Sequence, residues 1–262
     1  MAAETAPAPL LRVAFVGKGG SGKSMISGTI VRLLGAAGEP VLALDSDPLP
    51  GLAFSVGIPQ HDAGLPEEAV VERPEGEDGP RFRLAEDAVT LAERHARVGP
   101  DGVRFLQIGK AGSRAGGNQG RSLHAFRHVA AGLDDGPWHL VGDLPGGTRQ
   151  PFFGWARWAR LVLVVVEPVS ASILTGRRLA RLGQVEGGPR VVAVASKVDG
   201  PADTELVAGR TGLPVIAAVP HDPAVAAAER LGSAPLDHDP DAPAVQAVRS
   251  LLVSLRSAGG VA

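Results

Sequence analysis

Eight consecutive residues, Gly17-Lys18-Gly19-Gly20-Ser21-Gly22-Lys23-Ser24, bring together the types that hold phosphate groups: glycines, hydroxyls and two cations. Gly17, Gly19 and Gly22 satisfy G-x-G-x-x-G, a dinucleotide pattern. Gly17, Gly22, Lys23 and Ser24 satisfy G-x-x-x-x-G-K-[ST], a nucleoside-triphosphate pattern. The Lys-Ser ending favours the second. A dinucleotide's pyrophosphate rests on backbone N–H groups and a helix end and needs no cation there, whereas a triphosphate brings extra terminal charge. The glycines then let the backbone wrap the phosphates without Cβ clashes. Amides from Gly17 to Met25, with the helix opening at Gly22, supply positive potential. Lys23 is expected to bridge the β- and γ-phosphates of ATP, and Ser24 to ligate Mg²⁺.

A loop of this kind must be presented by a strand and a helix. Apolar runs at 11–16, 41–44, 103–108, 138–141, 161–166, 191–195 and 215–219 read as strands. They lack polar alternation, as expected of strands covered on both faces. Between them, 24–34, 122–131, 170–182 and 224–231 have helical spacing. Asp222-Pro223 marks one helix start, and Asp241 with Pro243 marks a last helix at about 244–256. The alternation predicts an α/β fold with a doubly wound, mostly parallel sheet flanked by helices, as one nucleotide-binding domain over 1–262. Residues 60–83, rich in Pro, Gly and Glu, read as a flexible acidic loop. Residues 109–120, with five glycines, read as another loop.

Composition narrows the classes. The 262 residues include no cysteine, which excludes disulfides, a thiolate zinc site and a cysteine-held iron–sulfur cluster. A net charge of −2 argues against a protein that coats nucleic acid electrostatically. With 4% aromatic residues and no Tyr, the core must be aliphatic. No apolar run approaches the ~18–20 residues of a membrane span, and residues 1–10 lack the basic start of a secretory signal. A soluble, cytoplasmic protein is expected. Lysine is scarce: Lys18, Lys23, Lys110 and Lys197 stand among 26 basic residues. Lys is a flexible point charge where Arg is a rigid fork, so the few lysines mark positions of interest.

Lys18 makes the loop read Lys-Gly-Gly-Ser-Gly-Lys-Ser. Here the sequence resembles the deviant Walker A ATPases of the MinD/ParA type. The resemblance implies that Lys18 reaches the nucleotide of the other subunit in an ATP-dependent, face-to-face homodimer. There it would act catalytically in trans, much as an arginine finger does. Asp45-Ser46-Asp47-Pro48 is similar to the family's second motif. It implies Asp45 as the catalytic residue that positions the attacking water and contacts the metal shell, with Asp47 supporting a switch loop. Asp143-Leu144-Pro145-Gly146-Gly147 looks like the Walker B end and second switch, with Asp143 holding Mg²⁺ through water. Ser196-Lys197-Val198-Asp199 is similar to the base-recognition motif Asn-Lys-x-Asp, with Ser in place of Asn; Asp199 could read a guanine edge, which leaves ATP and GTP both open. Pro220-His221-Asp222 resembles the family's turn beside the base.

Features between Asp101 and Asp222 look nearest the accessory ATPases that insert nickel into carbon monoxide dehydrogenase. Those proteins carry a Cys-x-Cys site near the region 109–120, and this chain cannot. His124 and His128 share a helix face and could share a divalent ion, but no third ligand is evident. The tail at 244–256 lacks the basic amphipathic character of a membrane-binding helix. Arg157, Arg160, Arg177, Arg178 and Arg181 are the residues a DNA-partition ATPase would need to cluster. Trp155 and Trp158 suit core packing or a nucleotide-sensitive interface. The resulting expectation is a Mg-ATP-hydrolysing dimeric switch acting on a client protein. The alternatives are a DNA-partition ATPase, a GTP-using protein, or a non-hydrolysing scaffold, the last because Met25 stands where the family usually has Thr.

Overall fold

A computed structural model describes residues 9–47, 51–61, 63–108, 119–148 and 151–257. In chain order the strands are β1 (Arg12–Gly17), β2 (Val41–Asp45), β3 (Val70–Glu72), β4 (Phe82–Leu84), β5 (Arg97–Val98), β6 (Arg104–Gln107), β7 (His139–Asp143), β8 (Leu161–Val166), β9 (Arg190–Val198) and β10 (Val215–Pro220). The helices are α1 (Lys23–Ala36), α2 (Leu52–Ser55), α3 (Ala88–His95), α4 (Gln119–Ala131), α5 (Ser170–Leu182), α6 (Pro201–Thr211), α7 (Pro223–Leu231), α8 (Pro235–His238) and α9 (Pro243–Ser257).

Eight strands form one sheet in the order β10-β9-β8-β1-β7-β2-β6-β5. All pairings are parallel except that of the short edge strand β5 with β6. Strand side chains alternate between two apolar layers. In β1, Val13 and Phe15 join a cluster with Ile26, Ile30 and Leu34 of α1 and Val248 and Leu251 of α9. Ala14 and Val16 join the opposite cluster, with Phe126 and Val129 of α4, Leu179 of α5 and Val207 of α6. Helices therefore cover both faces, which is why the strands read as continuous apolar runs. The expected doubly wound architecture is present.

Two corrections concern the segments between motifs. Residues 60–83, expected as a flexible acidic loop, contain a short helical turn at Glu67–Ala69 and most of the antiparallel hairpin β3–β4. Val70 and Phe82 of the hairpin are buried in the α4-side core, so two apolar anchors outweigh the polar composition around them. Helices α3 and α6 fall where no helix was expected. The second loop, 109–118, lies outside the described residues, and residues 119–120 open α4.

Buried polar groups bind the layers at specific points. Arg32 of α1, 5% exposed, holds Asp237 with two hydrogen bonds of 2.7 Å and Asp101 at 3.1 Å. Arg12 donates to the carbonyls of Leu133 at 2.9 Å and Asp134 at 2.7 Å, just past the end of α4. Among the described residues no helix is long and apolar enough to cross a membrane.

Candidate nucleotide site

The chain leaves β1, in the middle of the sheet, through the glycine loop and enters α1. Gly17 has φ +152, and a Cβ there would lie 2.4 Å from the Val165 carbonyl of β8. Gly22 has φ +92 and caps α1 without a side-chain hydrogen bond. No acidic residue occupies the helix's first turn. The amides at this end are thus left for an anion rather than satisfied by the chain itself. Met25, half-buried, packs against the α1-side core, so only its backbone faces the loop's task.

Strand register assembles the carboxylates. Asp45 at the end of β2 pairs with Asp143 of β7 on one side and Gln107 of β6 on the other. Paired residues of neighbouring strands project to the same face, so all three sit on the α1 side of the sheet edge. Ser24 Oγ hydrogen-bonds Asp143 Oδ2 in a very short contact. Asp45 Oδ1 accepts from the Asp47 amide at 3.0 Å. Asp45 Oδ2 and Asp143 Oδ1 are buried with no hydrogen-bond partner.

Electrostatics reflect that crowding. Burial pushes the Asp143 carboxyl up to about 6, opposed by the Lys23 ammonium and the Ser24 hydroxyl. Burial, then the negative charge of Asp143, holds the Asp45 carboxyl well above the usual carboxylate range. Two buried oxygens without donors beside a serine hydroxyl make a hard, oxygen-only set that lacks positive charge. This set fits Mg²⁺. Ser24 and Asp143 are the residues that would hold it, with Asp45 beside them. Ser21 Oγ is a further buried atom without a partner inside the loop.

Neighbouring elements brace the loop. The Gly147 amide donates to the Gly17 carbonyl at 3.2 Å, and a Cβ on Gly146 would lie 3.1 Å from the Gly19 nitrogen. The Gly146–Gly147 segment, where the second switch is expected, therefore rests on the phosphate loop. The Ser46 amide and hydroxyl both donate to the Asp143 carbonyl at 3.0 Å, which joins the ends of β2 and β7. Lys18 is exposed; its Nζ donates to the adjacent Gly19 carbonyl at 3.4 Å.

The base-side residues divide. Lys197, with φ 56, donates from Nζ to the Gly20 carbonyl at 2.6 Å and pairs with Glu167 at 3.6 Å. It is thus a strut of the phosphate loop. Ser196 is buried beneath that loop, its Oγ 3.0 Å from where a Gly22 Cβ would be. It does not face outward as a base reader must. Asp199 is exposed, and only its amide is engaged, by the Asp203 carboxylate at 2.8 Å. Pro220 ends β10 beside Val198. Asp222, expected beside the base, spends both carboxylate oxygens on helix starts: Oδ1 accepts from Ala224 of α7 and Oδ2 from Ala244 of α9, each at 2.9 Å. It ties two helices together.

Elsewhere, His124 and His128 stack at 6.2 Å, with His124 tilted against Phe82. Among the described residues no group of three metal-ligating side chains gathers there. Trp158 is buried, and a Cβ on Gly142 of β7 would sit 2.4 Å from its ring, so it packs over the Walker B strand. Trp155 is half-buried under the Arg127 guanidinium. Gln107 was not anticipated: it is 3% exposed and donates to the carbonyls of His61 at 2.6 Å and Ala63 at 3.0 Å, while its Oε1 is buried without a partner. Nothing in the local sequence marks it beyond being polar at a strand end. Gly51 is a second such residue, since a Cβ there would meet Ser24 Oγ at 2.8 Å.

A glycine loop between the central strand and its helix, a buried lysine followed by a half-buried serine, and a carboxylate at the end of a neighbouring strand define a P-loop nucleotide-binding protein. Residues 13–236 match the CobQ/CobB/MinD/ParA nucleotide binding domain, and the chain belongs to that family. It is 27% identical over 244 residues to the carbon monoxide dehydrogenase accessory protein CooC of Rhodospirillum rubrum, covering 88% of this chain and 91% of the relative. Its fold is similar to that of a ParA family ATPase from Chlorobium tepidum, with TM-score 0.70, 15% identity, and 93% and 98% of the two chains covered. It is similar also to MinD of Pyrococcus horikoshii complexed with Mg-ADP, with TM-score 0.69, 17% identity, and 95% and 97% covered.

Proposed function

We propose that the chain is a Mg²⁺-dependent ATPase that works as an ATP-gated homodimeric switch on a partner protein. The observation that carries this reading is the convergence of Lys23, Ser24, Asp45 and Asp143 behind a phosphate loop on which Lys18 is exposed. Lys23 neutralises the terminal phosphates. When bound, Mg²⁺ supplies positive charge to the phosphate oxygens. The uncommitted Asp45 Oδ2 orients the attacking water. Lys18 of one protomer adds charge at the nucleotide of its partner, so hydrolysis needs the dimer.

The likeness to an accessory protein of carbon monoxide dehydrogenase supports metalloenzyme maturation as the setting. With no cysteine in the chain, any metal step there proceeds without a thiolate of this protein. A second reading, GTP in place of ATP, is favoured by one observation: Asp199 is exposed, with only its amide engaged. Titration with ATP and with GTP, each with and without Mg²⁺, while molar mass and phosphate release are followed, tests both. Mg-ATP is expected to double the mass and turn over slowly, and ADP to leave a monomer. Lys18→Ala is expected to bind ATP yet remain monomeric and inactive. Normal dimerisation and turnover by that variant would refute the trans-lysine model.

A further inference from the structure

A second polar concavity lies away from the nucleotide. Between the second half of α5 and the end of α6 is a cleft of about 430 Å³ lined by Arg177, Ala180, Arg181, Gln184 and the stretch from Gly209 to Gly212. Arg177 and Arg181 are one turn apart on α5, and Arg210 faces them from α6, all three exposed. No carboxylate lines the cleft. Among the described residues none of the three has a hydrogen bond or ion pair, whereas Arg32, Arg81, Arg94 and Arg256 all pair with carboxylates. Gly209 and Gly212, on either side of Arg210 and Thr211, add no side chains to that wall.

Charge is segregated along the chain in the same sense. Residues 155–190 contain six arginines and two glutamates, a net +4, which leaves −6 on the rest of a chain of net −2. A cation in the last turn of a helix offsets its dipole, which accounts for Arg181 and Arg210 singly. It accounts neither for Arg177 nor for the convergence of three like charges with 28 acidic residues in the chain. Guanidinium groups set at different angles around a concave wall match an anion with several oxygen faces, and the volume falls within the range of small-molecule sites.

We propose that this cleft binds a small multivalent oxyanion, phosphorylated or polycarboxylic, at a site separate from the nucleotide. Helix α5 starts beside the phosphate-loop edge of the sheet and runs back, so its Arg181 end lies roughly 15 Å away along the axis at 1.5 Å per residue. The ligand and ATP therefore do not compete for space.

The test uses the full chain carrying Lys23→Ala, which strongly weakens phosphate binding at the loop, and titrates it calorimetrically with sodium pyrophosphate and with sodium citrate at low salt. Saturable one-to-one binding of at least one is expected, and which one binds distinguishes the phosphoryl from the carboxylate source. Adding Arg177→Ala and Arg210→Ala should weaken it at least tenfold, on the scale of a lost charge-assisted hydrogen bond. These side chains are exposed and unpaired, so unchanged circular dichroism and melting are expected. No binding of either anion, or binding indifferent to the arginines, overturns the proposal. Arginine-dependent retention of a 20-base-pair DNA duplex without binding of either small anion overturns it in favour of nucleic acid.

Discussion

Replacing Asp143 by Asn should stabilise the nucleotide-free protein while destroying its use of Mg²⁺. In the fold the Asp143 carboxyl is raised from its usual 3.8 to about 6, mainly by burial. The folded state therefore holds this proton more tightly than the unfolded chain does. Below about pH 4 both states are protonated and the group adds nothing. Between about 4 and 6 the unfolded state releases its proton first, and stability falls as pH rises. Above about 6 the full difference applies: about two pKa units, or about 3 kcal/mol at 1.36 kcal/mol per unit. For a chain of this size that corresponds to a melting temperature about 5–6 °C higher in the variant at pH 8. At pH 4 the gap should nearly close, because the wild-type carboxyl is protonated there too. Removing the charge also relieves Asp45, whose carboxyl Asp143 pushes further up. Melting curves from pH 4 to 8, with and without Mg-ADP, decide it. The wild type should gain stability from Mg²⁺ beyond that from ADP alone, and Asp143→Asn should lose that increment. A variant no more stable than wild type at pH 8, with a wild-type melting temperature that does not fall from pH 4 to 8, would refute the assignment of an uncompensated buried charge.

Lys23→Ala removes charge-assisted bonds to two phosphates and should weaken ATP binding on the order of 100- to 1000-fold, measurable with a fluorescent analogue. Gln107→Leu should leave ATP affinity within about threefold and lower turnover about tenfold, because it releases the His61 and Ala63 carbonyls next to Asp45's strand partner without touching the phosphate loop; an unchanged rate constant would count against this. Arg32→Ala should cost about 2–3 kcal/mol by denaturant melting. This lies below the usual value for breaking a buried pair because the Asp101 and Asp237 side chains left behind are 36% and 44% exposed and can rehydrate.

Legibility in the sequence followed how local the determining physics is. The phosphate loop could be read because glycine tolerance, a cation and a hydroxyl must be adjacent in one turn, and the seven expected strands of the main sheet all appear because covering on both faces leaves uninterrupted apolar runs. Helix α6 escaped because its start, Pro201 after Gly200, reads equally well as a turn. The hairpin at 70–84 escaped because two buried residues, Val70 and Phe82, hold it against surroundings of loop-like composition. Gln107 and Arg32 escaped for a different reason. Each is defined by partners that only strand register or helix packing brings near, such as Asp237, 205 positions away from Arg32.

That distinction bears on how the site is wired. The motif residues in the loop do little to hold one another: Lys18 reaches only its neighbour, and the oxygens of Ser21, Asp45 and Asp143 that await a ligand are unpaired. What holds the loop comes from outside it. Lys197 donates to Gly20 while pairing with Glu167, which stands three residues before α5 opens at Ser170, and Gly147 donates to Gly17. Ser46 joins the Asp45 and Asp143 strand ends through one carbonyl. The loop and the carboxylates beside it thus share contacts with the segments at Ser46 and at Gly146–Gly147 and with the element leading into α5. In the proposed switch, these contacts are the route by which nucleotide state would be reported to elements outside the loop.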